Sequence, residues 1–152
     1  MVLLMKITYF LIITKMNVTL NYFAVLMATI ASISIGFIWY GPLFGTLWIQ
    51  LSGISDTRLA ELKVRGMGKK YVLTSVMSLI MAYALAHFVA AWGATSVAGA
   101  FQLAFWVWLG FIVPTEIGSF LWEGKPLKLY FLNIAYYFIS LSAMAVILVI
   151  WR

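Results

Sequence analysis

The sequence predicts an all-α integral membrane protein: a bundle of four transmembrane helices, with a short interfacial or cytoplasmic helical segment between the first and second. Three observations lead there. Hydrophobic residues make up 65% of the 152-residue chain and charged residues 9%, whereas soluble domains are about 45–50% apolar and about 25% charged. Residues 22–40, 71–92, 97–115 and 129–151 contain no Asp, Glu, Lys or Arg, and each stretch meets or exceeds the ~18 residues that mark a transmembrane helix. Most of the remaining charges collect between those stretches, because a charged side chain inside hydrocarbon is costly.

The same inventory narrows the function classes. There is no cysteine, so neither a disulfide framework nor a thiolate metal site is available. One histidine and four acidic residues leave little for a soluble-type active site. The sequence holds no metal-ligand spacing, no glycine loop that would cradle phosphate, and no Ser–His–acid set at a common depth. No cofactor, metal or enzymatic activity is therefore expected. The formal charge of +6 sits beside the apolar runs, where basic residues set topology and meet anionic lipid, and nucleic-acid binding is not expected.

Taken in order, residues 1–16 form an N-terminal tail or an interfacial segment. Lys6 interrupts the apolar residues there, the stretch is too short to span, and no small-residue cleavage site follows. Residues 17–152 form one transmembrane domain. Its first span, about 20–40, ends in Trp39-Tyr40-Gly41-Pro42. The aromatic pair suits the interface and Gly-Pro is expected to stop the helix. Leu43–Leu51 then reads as a segment along the head groups, with Phe44, Leu47, Trp48 and Leu51 at helical spacing. A short helix follows from Asp56 to Arg65, capped by Ser55 or Asp56 at its start and by Gly66 at its end. Asp56 and Glu61 are expected to pair with Arg58 or Arg65 along it. The remaining spans are about 71–92, 97–122 and 127–151. The loop over residues 41–70 and the loop over 123–128 carry seven basic residues between them, including Lys69, Lys70, Lys125 and Lys128, while the loop over 93–96 carries none. The positive-inside rule puts the basic loops in the cytoplasm and both chain ends on the other side, against the dissent of Lys6, Lys15 and Arg152. The four named lysines are expected to meet lipid phosphates.

Lipid tails supply no hydrophobic drive between helices, so small residues that let backbones approach are the packing signal. Span one carries Ala24, Ala28, Ser32 and Gly36 at four-residue spacing; span two carries Ser78, Ala82, Ala86 and Ala90; span three carries Gly110, Pro114 and Gly118. These stripes favour a compact bundle and serve equally well for a homo-oligomer.

Polar groups inside the spans are the candidate sites. Glu116 lies about seven residues before the end of span three, roughly 10 Å below the interface at 1.5 Å per residue. A carboxyl at that depth is expected to be protonated, paired or open to water. Asn133 has similar depth on span four and shares a face with Tyr137 and Ser140; Tyr40 is a further partner for Glu116. Pro114 frees the carbonyl of Gly110, so a cation site or proton relay is one reading of Glu116 and a lock between helices is the other. His87 and Gln102 form a second polar pair at matching depth. Gln102 and Glu116, fourteen residues apart, fall on one face of a regular helix about 21 Å apart, with Trp106 between them. Such a thread is what a permeation route would need.

The string Asn21-Tyr22-Phe23-Ala24-Val25 through Gly36-Phe37-Ile38-Trp39-Tyr40-Gly41-Pro42-Leu43-Phe44-Gly45-Thr46-Leu47-Trp48 resembles the opening of a bacterial membrane family known as domain of unknown function 1761. The likeness extends over most of the chain after Met16 and includes the turn Phe120-Leu121-Trp122-Glu123-Gly124-Lys125-Pro126. It implies a four-helix fold in the bacterial cytoplasmic membrane and supplies no activity, and residues 1–15 depart from the family's usual start. Three functions stay open: a non-catalytic bundle acting as a homo-oligomer or accessory subunit of a membrane complex, a path for protons, cations or small solutes past Glu116, and a lipid- or quinone-directed enzyme.

Overall fold

A computed structural model of the protein describes residues 19–64 and 67–151, and among these every regular element is helical. Four helices are long and apolar enough to cross a membrane: Tyr22–Leu43, Gly68–Trp92, Val97–Leu121 and Leu127–Ile150. Expectations placed on residues 1–16, Arg65, Gly66 and Arg152 lie outside the described residues.

The first long helix begins as α1, Tyr22–Ile38. Asn21 caps it: its Oδ1 accepts from the N–H groups of Phe23 and Ala24 at 3.0 and 3.2 Å, satisfying donors that a helix start leaves open. The same side chain donates through Nδ2 to the carbonyl of Trp151 at 2.7 Å, and the Phe23 and Trp151 rings stack with centroids 5.6 Å apart. The Gly-Pro pair does not stop the helix at Tyr40 as expected. Pro42 has no N–H to give to a regular turn, and the backbone instead widens into a π-helical turn over Trp39–Leu43, with Gly41 outside helical dihedrals. Phe44 closes that turn by donating five residues back, to the Trp39 carbonyl at 2.9 Å.

Two short helices follow. The expected interfacial segment is α2, Gly45–Ser52, ending on Gly53 in the left-handed region at φ 70°, a conformation that glycine adopts without a Cβ clash. The loop helix is α3, Asp56–Val64. Ser55 Oγ accepts from the Arg58 N–H at 3.3 Å, and Arg58 pairs with Glu61 at 2.9 Å. The second long helix, α4 (Gly68–Trp92), starts three residues ahead of the expected bound and ends on Gly93, also at φ 70°.

The third long helix has three parts. These are α5 (Val97–Val107, capped by Ser96), a π-helical turn over Trp108–Ile112, and α6 (Val113–Leu121) with Pro114 in its first turn. Pro114 again supplies the cause: the missing N–H falls where α6 begins, and the backbone just ahead of it takes the wider turn. The fourth long helix is α7, Leu127–Ile150.

The fourth helix sits at the centre and packs against the other three; 44% of its most apolar stretch is buried, against 17% for the third. Small residues make the close seams. Ala24, Ala28 and Ser32 are buried on the first helix, and Ser78, Ala82 and Ala86 on the second. Gly36 lies under the Tyr136 ring, where a Cβ would come within 3.1 Å of the hydroxyl. Ser140 donates to Ser32 at 2.9 Å, a buried hydrogen bond between the fourth and first helices. The third stripe does not pack inside the chain. Gly110 and Pro114 are exposed, Gly118 is half-buried, and a Cβ on Gly110 would meet nothing within 4 Å.

Candidate functional site

The wide turns bring the polar residues of three helices together. On the first helix the turn over Trp39–Leu43 carries Tyr40, whose hydroxyl donates to Asn133 Oδ1 at 3.2 Å. The other end of the same carboxamide, Asn133 Nδ2, lies 3.5 Å from Glu116 Oε2 on the third helix, at the outer limit of a hydrogen bond. Asn133 therefore connects the first, fourth and third helices in one chain of contacts. Glu116, Asn133 and Tyr40 are each half-buried.

Around this chain is a layer of aromatic rings. Tyr136 packs against Tyr40 with centroids 4.9 Å apart and against Tyr137 at 5.0 Å. Trp48 of α2 meets Tyr40 edge-on at 5.7 Å. Trp39 lies 4.6 Å from Phe44 and 6.5 Å from Tyr136, and its indole Nε1 is buried with no hydrogen-bond partner. Tyr137, placed one turn beyond Asn133, bonds to neither Asn133 nor Glu116 and packs its ring against Tyr136.

The third helix is held at both sides of its wide turn. Trp108 Nε1 donates to the Ile134 carbonyl of the fourth helix at 2.7 Å. Beyond the turn, Tyr130 of the fourth helix donates to the Val113 carbonyl at 3.2 Å. The Thr115 hydroxyl turns back onto the carbonyls of Phe111 and Ile112. These bonds fix the level at which Glu116 faces Asn133.

The expected polar thread from Gln102 to Glu116 is broken. One residue of a regular α-helix turns the chain by about 100°, and a π turn inserts about one residue. Gln102 and Glu116 lie on opposite sides of such a turn, so the face they would share in a regular helix is rotated away. Gln102 and Trp106 are exposed while Glu116 is turned toward Asn133. The expected His87–Gln102 pair is not made either: exposed His87 uses Nδ1 on the Tyr83 carbonyl of its own helix at 2.9 Å and meets the Tyr83 ring edge-on. Lys69, Lys70 and Lys128 are exposed. Lys125, expected among lipid phosphates, instead donates to the Ser52 carbonyl at 2.7 Å and joins the loop after the third helix to the end of α2.

The sequence reading missed Tyr136, Trp48, Trp39, Trp108 and Tyr130. Tyr136 was findable, since it lies three residues past Asn133 and so on the same helical face. Trp48 comes into the layer only because the wide turn aims α2 back toward Tyr40, which spacing does not reveal.

Among the described residues no group of three or more His, Cys, Asp or Glu side chains is arranged to hold a metal ion. The layer therefore offers one carboxyl, one carboxamide, phenol hydroxyls and ring faces. In sequence, residues 23–149 match the profile of the family described as Protein of unknown function (DUF1761). The chain belongs to that family. No curated protein and no solved structure matches it. Membership in DUF1761 agrees with the Trp-Tyr-Gly-Pro-Leu-Phe-Gly turn that carried the resemblance, and it assigns no activity to the layer.

Proposed function

We propose that this DUF1761 chain is a non-catalytic helical bundle of the membrane that works by assembly, as a homo-oligomer or as an accessory subunit of a larger complex. The observation that carries the reading is the outward face of the third helix. That helix buries least, yet it presents a carboxamide (Gln102), an indole (Trp106) and the open backbone of Gly110 to its surroundings. Hydrocarbon offers the amide no partner, whereas a neighbouring helix does, and a glycine without a side chain in front of it lets that helix come close. The proposed location is a bacterial cytoplasmic membrane with the basic loops inside and both ends outside, supported by the excess of Lys and Arg in those loops.

The chain has no native cysteine, so single-cysteine variants test assembly cleanly. Gln102→Cys and Gly110→Cys are expected to cross-link between copies, or to a co-purifying subunit, while Leu79→Cys on the exposed face of the second helix is not. Equal labelling at all three positions without cross-links, with a monomer at every dilution in bilayers, would refute the reading.

A second reading, passage of a proton, cation or small solute past Glu116, is favoured by one observation. The half-buried carboxyl accepts a single, long side-chain hydrogen bond, and the one ion pair among the described residues joins Arg58 to Glu61 elsewhere. Flux into liposomes that is unchanged by Glu116→Gln would remove it.

A further inference from the structure

We infer that the layer around Glu116 is a binding site for an organic cation, an ammonium or phosphonium ion carrying apolar or aromatic substituents. The site is the one invoked by the second reading above. The inference requires only that the carboxyl be available as an anion to a ligand, and it does not require transport.

The chemistry follows from what surrounds the carboxyl and what does not. Glu116 has no ammonium or guanidinium partner among the described residues, and the one side-chain hydrogen bond to its carboxyl, from Asn133, is at 3.5 Å. Five residues, or about 7.5 Å, from the Leu121 end of its helix, the carboxyl has no counter-charge beside it; a bound cation would supply one, and a low dielectric strengthens that attraction. A calcium or magnesium ion is poorly served here. It takes six or more oxygens at about 2.0–2.6 Å, whereas the side chains joined to the Glu116 carboxyl by hydrogen bonds add only the Asn133 carboxamide oxygen and the Tyr40 hydroxyl.

An organic cation fits that wall. Tyr40, Tyr136, Tyr137 and Trp48 are all half-buried, so none is sealed inside the bundle. Their rings are inclined to one another by 58–71°, which turns ring faces in several directions at one level. Ring faces attract a cation within about 6 Å of the centroid, and the attraction grows as water is removed. Apolar substituents on the same ion gain by leaving water for this layer. Charge and substituents are thus matched by the Glu116 carboxyl and by four rings that cluster about Tyr40 and Tyr136, joined to that carboxyl through Asn133.

The test uses the full chain in lipid nanodiscs and tetraphenylphosphonium as the probe, followed by tryptophan fluorescence and by titration calorimetry. Saturable binding is expected. Glu116→Gln should weaken it by about tenfold or more, and Glu116→Asp should restore most of the loss, which separates charge from folding. Tyr137→Leu should weaken binding several-fold while circular dichroism stays native. Triphenylphosphine oxide, neutral and of similar shape, should not compete. The proposal is overturned if the wild-type chain shows no saturable uptake, if Glu116→Gln binds as tightly as wild type, or if the neutral compound competes equally. Binding without flux in liposomes would sink the transport reading and leave the site standing.

Discussion

Gly45 offers the sharpest test of how the wide turn is built. A Cβ added there would lie 2.7 Å from the carbonyl oxygen of Tyr40 and 3.3 Å from its carbonyl carbon. Carbon atoms attract best at about 3.5–4.0 Å, so Gly45→Ala demands a movement of most of an ångström. The obstacle is backbone and cannot be relieved by a rotamer change. Either α2 swings away or the Tyr40 peptide moves, and the second route drags the phenol away from Asn133. Forcing extra atoms into a packed site costs about 1–3 kcal/mol, and Gly45→Ala is expected in that range. Gly36→Ala is the graded comparison: its Cβ would meet the Tyr136 hydroxyl at 3.1 Å, the end of a side chain that yields by tenths of an ångström, and the cost should stay below about 1 kcal/mol. Gly110→Ala meets nothing within the chain and should leave the monomer as stable as before or more stable by up to about 1 kcal/mol. Unfolding by sodium dodecyl sulfate in dodecylmaltoside micelles, followed by tryptophan fluorescence and far-ultraviolet circular dichroism, ranks the three. A Gly45→Ala protein no less stable than Gly36→Ala would refute the reasoning that contact with the Tyr40 carbonyl shapes this turn.

Other expectations use the same unfolding assay unless stated. Ser140→Ala should destabilise by about 0.6 kcal/mol and at most about 1.7, the range of intramembrane hydrogen bonds, because Ser140 bonds Ser32. Ser142→Ala, two residues on, should be neutral or stabilising, because its buried Oγ has no partner. In a double-mutant cycle, Tyr40→Phe and Asn133→Leu should be coupled by a similar 0.6 to 1.7 kcal/mol, whereas additive effects would mean that the hydroxyl and carboxamide do not interact. Lys125→Met should change stability by less than about 1 kcal/mol, since the bond is partly exposed. It should nonetheless speed hydrogen exchange in residues 45–53, and unchanged exchange would show that this contact does not hold α2.

The spans were legible because hydrocarbon imposes a composition that can be read locally. Helix bounds came within a few residues, with the loop helix, the Ser55 cap and the Arg58–Glu61 pair in place. The seams of the first two spans followed from four-residue spacing of small side chains. The contact between Glu116 and Asn133 followed from matched depth, which survives local irregularity because depth accumulates slowly along a helix. Facing does not survive it. One inserted residue per wide turn changes depth by about 1.5 Å but rotates everything beyond it by about 100°. That asymmetry is why the level of Gln102 and Glu116 was readable while their common face was not, and why the Gly110–Pro114 stripe turned outward. Pro42 lies inside the first wide turn and Pro114 two residues beyond the second, and a regular helical projection does not carry past either.

The joint between Asn21 and the Trp151 carbonyl closes the bundle end to end, over 130 residues of chain. The four crossings thus form a ring with a single cut, and the position of that cut is arbitrary for the packing. A short linker across it, with new ends opened in the uncharged connection at residues 93–96, gives a circular permutant in which each crossing keeps its direction. Such a chain would begin with the third and fourth crossings, making the order of insertion an experimental variable while every helix-to-helix contact stays the same.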